Sequence, residues 1–177
     1  MEVKFVQALI TQAEAERNLA PKRWLFFRRK KRLEKVERIY LPYFLFNVET
    51  EFKGKKEVLV IAVDAIEGIA VFPKEKFVRF EEKENASPIP FLLAEKDVRP
   101  AVFSAARDFS LQVGIREKLP LKIGEILFTK RVYYPFWMAY YSTSKGLTFT
   151  ALDAVSGAIQ GVKMRQVFVK VLRLLGQ

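Results

Sequence analysis

Two aspartates and a run of five cations are the residues of this chain whose types and spacing could do chemistry. The aspartates open the same short motif twice, as Asp64-Ala65-Ile66-Glu67-Gly68 and Asp153-Ala154-Val155-Ser156-Gly157. Two carboxylates folded together could share a proton for acid–base work or hold a cation. The spacing serves a turn equally well: an aspartate accepts hydrogen bonds from its own turn, and Gly68 or Gly157 supplies positive φ. Glu67 becomes Ser156 in the second motif, so the two are unequal in acids.

The cations are Arg28-Arg29-Lys30-Lys31-Arg32, directly after Trp24-Leu25-Phe26-Phe27. Such a run is either a solvated loop or, with aromatic side chains beside it, a contact for anionic lipid or nucleic acid. Lys163, Lys170 and Arg173 near the end of the chain join it as anion-binding candidates. The net charge of +11 is uneven, with +6 over residues 1–35, −2 over 36–100 and +7 over 101–177. The two basic ends are therefore expected to share a surface that attracts an anionic membrane, a nucleic acid or an acidic protein.

Other chemistry lacks its usual residues. The chain has no histidine and no cysteine, which removes the imidazole base, the thiol nucleophile, disulfides and the common zinc ligands. No glycine-rich phosphate loop, serine elbow or EF-hand spacing occurs. The reading is a non-catalytic protein without cofactor or metal. The first residues lack the charge and apolar run of a signal peptide, and no apolar run approaches the length of a membrane span. The expected location is the cytoplasm, free or peripheral to the membrane.

The elements that position these residues follow a repeated order. Arg38-Ile39-Tyr40-Leu41-Pro42-Tyr43-Phe44-Leu45 returns as Arg131-Val132-Tyr133-Tyr134-Pro135-Phe136-Trp137-Met138, 93 residues later. A glycine turn (Gly54, Gly146), an apolar run and the Asp-Ala-x-x-Gly motif follow each copy. Phe5, Val6, Leu9, Ile10 and Ala13 predict a helix over 4–18, and Pro21 ends it. Val98, Val102, Ala105, Ala106, Phe109 and Val113 predict a second, opened by Asp97 and stopped by Gly114. Its offset from the first helix also reads as 93 residues.

Alternation from Tyr43 predicts a strand with Phe44, Phe46, Val48 and Thr50 on one face. Lys53-Gly54-Lys55-Lys56 turns it into a return strand at 58–63. Residues 69–72 and 77–80 make one further, broken strand, and 81–88 read as the linker. Strands at 125–143 and 147–153, with another from Ala158, repeat the plan. Val167, Phe168, Val171, Leu172 and Leu175 predict an amphipathic helix at the end.

The fold expected is α+β, from two similar helix-plus-antiparallel-meander units, 1–86 and 87–177. They pack with pseudo-twofold symmetry into one body, and the C-terminal amphipathic helix is added to them. The outer face of the first return strand, through Leu59 and Ile61, is apolar and must be covered by the other half, by the last helix or by another chain. Leu59, Ile61, Trp24, Phe26 and Trp137 are the candidates for contact with a partner protein, and a homo-oligomer is compatible with them.

The Tyr-x-Pro-aromatic strand and the Val-Asp-Ala-x-x-Gly hairpin resemble tandem units of uncharacterised bacterial proteins. The hairpin is also similar to PepSY domains, helix-plus-hairpin units with a cystatin-like packing of helix on sheet. That resemblance implies a non-catalytic module, in its PepSY form a protein-interaction or protease-regulatory one, and carries over no site residue.

Overall fold

In the computed structural model, which describes residues 3–21, 31–73, 79–81 and 89–176, two long strands carry the architecture. They are β2 (Arg32–Phe52) and β6 (Lys122–Thr143), antiparallel from Arg32 opposite Ser142 to Glu51 opposite Lys122. Each returns through a hairpin, β2 to β3 (Lys55–Asp64) and β6 to β7 (Gly146–Asp153). Short strands β1 (Lys4–Val6), β4 (Ala70–Val71) and β5 (Phe80–Glu81) complete one sheet in the order β4-β3-β2-β6-β1-β5, with β7 also on β6. The fold class is α+β, as expected.

The repeated stretches face each other across the central ladder. Tyr40 lies opposite Pro135, Leu41 opposite Tyr134 and Pro42 opposite Tyr133. Proline cannot donate to a ladder, and each stands one residue before its hairpin ladder begins, at Tyr43–Asp64 and Phe136–Asp153. Its missing N–H thus falls where that ladder has ended.

Three helices cover the sheet. On one face α1 (Gln12–Leu19) lies over β6 and β7, packing Ala15 and Leu19 against Trp137, Ala139, Tyr141 and Leu152. On the same face α2 (Glu95–Glu117) lies over β2 and β3, where its stripe of Val98, Val102 and Ala106 meets Phe44, Phe46, Val48, Ile61 and Val63. Each helix therefore covers the hairpin that belongs to the other long strand. The opposite face takes α3 (Val162–Leu174), whose Met164, Val167, Phe168 and Val171 close over Leu41, Tyr43, Phe136 and Met138.

Several boundaries differ from the sequence reading. Residues 4–6 form β1 rather than the start of a helix, because Phe5 stacks on Tyr133 at 4.9 Å while Val6 turns into the core. The helix starts only at Gln12, capped by Thr11, whose Oγ1 accepts from the Glu14 N–H at 3.3 Å while its own N–H donates to the Glu14 carboxylate at 2.8 Å. Asp97 is not the N-cap of α2 but lies in its first turn, accepting from the Ala94 N–H at 3.0 Å. Gly114 does not stop that helix, which runs on to Glu117 and ends at Lys118 with φ of 54°. Gln12 and Glu95 open the two helices 83 residues apart, so the 93-residue offset of the strands does not extend to them.

The single broken strand expected near Pro73 is two separate strands at opposite edges. β4 pairs with β3, and β5 with β1. From Ala158 only a single bridge forms, Leu152 with Ile159. Residues 22–30 and 82–88, and with them most of the expected connector and linker, lie outside the described residues.

Ile61 tests the packing of α2. It is fully buried beneath that helix, so Ile61→Ala should cost about 2–5 kcal/mol in urea unfolding. A change near zero would mean that this strand face is not covered.

Candidate interaction surface

The two aspartates do not meet as a catalytic pair; each closes its own turn. Asp64 Oδ1 accepts from the N–H groups of Ile66 (3.0 Å) and Glu67 (2.7 Å), and Oδ2 from that of Ile69 (2.6 Å). Asp153 Oδ1 accepts from Val155 (2.8 Å) and Ser156 (3.0 Å), and the Tyr134 hydroxyl donates to its carboxylate at 3.0 Å. Gly68 and Gly157 take φ of 76° and 73°, where a side chain would be strained. Of the two readings open in the sequence, the turn is the one this geometry matches.

These turns also dock the helices. The Ala65 carbonyl accepts the N–H groups of Leu92 and Leu93 ahead of α2, and the Ala154 carbonyl those of Leu9 and Ile10 ahead of α1. Ala65 and Ala154 in turn donate to the carbonyls of Pro42 and Pro135, at 2.8 and 3.2 Å. Each motif thus joins its own strand to the helix of the other half.

Asp64 is completely buried. Burial raises its pKa above the usual carboxylate value, against the lowering by the Glu67, Ile69 and Ile66 N–H groups.

The candidates for partner contact distribute unevenly. Trp24, Phe26, Arg28, Arg29 and Lys30 lie outside the described residues. Lys31 is exposed, its ammonium 5.6 Å from the Tyr141 ring, and Arg32 is exposed with its guanidinium 3.8 Å from Glu34. On α3, Lys163 and Arg173 point outward. Lys170 is instead tied down, with its ammonium 2.7 Å from Glu67 and donating to the Ile66 carbonyl at 3.1 Å. Its charge fastens α3 to the first turn and is not offered to a partner.

Three apolar candidates are internal. Ile61 is buried and Leu59 half-buried under α2, because that helix needs an apolar floor. Trp137 is buried beside α1, with its indole N–H donating to the Ile10 carbonyl at 2.9 Å. The apolar face of the last helix is likewise consumed by the core. Among the described residues the basic ends do not share a face: Lys31 lies over Tyr141 on the α1 side of the sheet, and α3 lies on the other.

The sequence reading missed two arginines. Arg38 is exposed, 5.5 Å from the rings of both Tyr40 and Trp137, and Arg131 is exposed, 5.6 Å from Phe44 and 5.7 Å from Phe91. Both stand on the α1 and α2 face, and neither has a carboxylate within 4.0 Å among the described residues. They are opposite Trp137 and Phe44, six positions apart along the ladder, which is about 20 Å. Their signal was present, since each opens a copy of the repeated stretch.

The β7 edge is guarded by Arg165, whose guanidinium stacks on Phe149 at 4.3 Å and donates to the Phe149 carbonyl at 3.0 Å. A charged side chain on an edge acceptor opposes the addition of a foreign strand.

No known protein family, curated protein or solved structure matches this chain.

The turns differ in what an amide would do to them. In Asp64→Asn the new NH2 must oppose a backbone N–H, which leaves a buried donor unpaired, whereas in Asp153→Asn the Tyr134 hydroxyl can rotate to accept. Asp64→Asn should therefore cost about 1–3 kcal/mol and Asp153→Asn clearly less, by thermal or urea unfolding; equal costs would contradict the assignment. Because the folded-state pKa of Asp64 is raised, its contribution is full below the unfolded carboxylate pKa and is lost as pH rises through the folded value. The cost of Asp64→Asn should accordingly be larger in acid than at neutral pH.

Proposed function

We propose that this protein is a non-catalytic binding module that contacts an anionic surface through its own cationic one. The observation that carries this reading is the pair Arg38 and Arg131. Each guanidinium is exposed, free of carboxylates among the described residues, and seated over two aromatic rings. Aromatic rings attract a cation and fix its orientation without neutralising it, so the charge stays available to a second partner. Lys31 adds to this face and Lys163 and Arg173 to the opposite one. The net charge of +11 raises the encounter rate with any polyanion.

The spacing of the two arginines, about 20 Å along the ladder, suits an extended anionic surface better than one small anion. In this reading the two halves descend from one duplicated unit, and the Arg-x-Tyr-x-Pro stretch was kept in both. Support comes from the self-pairing of that stretch and the matched turns at Asp64 and Asp153. The PepSY-like alternative, acting through an apolar sheet face, has no such support, since α2 occupies the face that carries Leu59 and Ile61.

The test is binding to phosphatidylglycerol-containing vesicles and to a single-stranded oligonucleotide over a range of salt. Arg38→Ser with Arg131→Ser should cost about 0.5–1 kcal/mol of stability per residue from lost cation–π contact and should weaken binding to whichever polyanion is bound. If that is nucleic acid, the salt slope should fall by about 2. Failure of the unaltered protein to bind either at low salt would overturn the proposal.

A further inference from the structure

We propose that the outer ridge of α2 is a contact for an anionic lipid bilayer. At about 100° per residue, the stripe of Val98, Val102 and Ala106 consumes one side of this helix. Lys96, Phe103, Arg107, Leu111 and Lys118 fall on the other side, with Ile115 at its margin. Phe103 is 59% exposed, Leu111 54% and Ile115 81%. These are large side chains to leave in water on a helix that already buries a complete apolar stripe.

Cations and apolar groups alternate along this ridge, which runs about 33 Å from Lys96 to Lys118. Lys96, Arg107 and Lys118 have no carboxylate within 4.0 Å among the described residues, while the other basic groups of the helix, Arg99 and Arg116, pair with Glu95 and Glu117. Asp97 and Asp108 are exposed acids beside the ridge, Asp97 on the same side of the helix as Ile115. Lysine and arginine stems are long enough to hold their charge at headgroup level while apolar neighbours on the same side reach past it.

Charge decides among the occupants. An antiparallel second copy would set Lys96 against the partner's Lys118, and a parallel one would set each cation against its own counterpart. A single-stranded nucleic acid would satisfy the cations and could stack a base on Phe103, but it offers nothing comparable to the aliphatic Leu111 and Ile115. An anionic bilayer satisfies both kinds of group at once. The ridge lies on the same side of the sheet as Arg38 and Arg131.

This inference rests on the reading that the partner is anionic, and the experiment separates the two. The full chain is sedimented with phosphatidylcholine vesicles that contain or lack phosphatidylglycerol. The triple variant Phe103→Ser, Leu111→Ser, Ile115→Ser is compared with Arg107→Ser and with the Arg38→Ser, Arg131→Ser pair, and circular dichroism checks each fold. Binding to the anionic vesicles should fall by about tenfold or more in the triple variant, from loss of apolar insertion. It should fall less, and more at low salt than at high, in Arg107→Ser.

Vesicle binding unchanged in the triple variant but lost in the Arg38, Arg131 pair would overturn the ridge and leave the anionic reading standing. Binding by the unaltered chain to oligonucleotide alone, insensitive to the triple variant, would also overturn the ridge. So would a dimer that the triple variant dissociates without any vesicle binding. No binding to either polyanion would remove both proposals together. Should the triple variant fail to fold, Ile115→Ser alone, at the most exposed of the three positions, gives the same reading with a smaller fall.

Discussion

The β2–β6 ladder is the constraint on which the rest depends. With Pro42 opposite Tyr133 and Pro135 opposite Tyr40, each long strand meets the other at its own proline, and each hairpin ladder starts one residue later. Slipping the pairing by one residue would turn Phe44 and Phe46 away from α2 and bring Tyr43 to that face, exchanging the contents of two cores. The prolines help to fix the register because they remove donors where the ladders change partner. From that register follow the places of all three helices.

The Asp-Ala-x-x-Gly turns convert the ladder into a three-dimensional object. Each turn takes a donor from its aspartate's own loop and presents an alanine carbonyl to the segment that leads into the other half's helix. Neither hairpin is complete without a helix that comes from elsewhere in the chain. The exchange also explains why the polar atoms at the centre are satisfied: no side-chain nitrogen or oxygen among the described residues is buried without a partner, which spares the fold the cost of orphaned groups.

Charge is arranged by the same logic. Two cations of α3 are used internally, Lys170 on the first turn and Arg165 on the β7 edge. Other cations sit on rings or at helix surfaces, and exposed ones lie on both sides of the sheet. No helix among the described residues is long and apolar enough to cross a membrane. The ridge of α2 belongs to a helix held against the sheet by Val98, Val102 and Ala106.

Much of this was legible in the sequence, and for local reasons. Period-two alternation marked the long strands, Lys53-Gly54 marked a hairpin turn, and glycine four residues after aspartate marked the closing turns, because each of these depends on the backbone within a few residues. The last helix was legible for the same reason. The offset argument misled: strands keep 93 residues between copies, but the helices start 83 apart, since loop length is free to change when only the docking carbonyl must be reached. Phe5 and Val6 fitted a helix by spacing alone and became a strand because β6 offered an edge at Val132 and Tyr133. What the tertiary structure alone decided is which surfaces are inside. Leu59, Ile61 and Trp137 resembled contact residues until helices from the other half covered them, whereas Arg38 and Arg131 resembled ordinary strand residues until the ladder set aromatic rings beneath them. Periodicity reports that a face is apolar; only the partner across space determines whether that face meets protein or water.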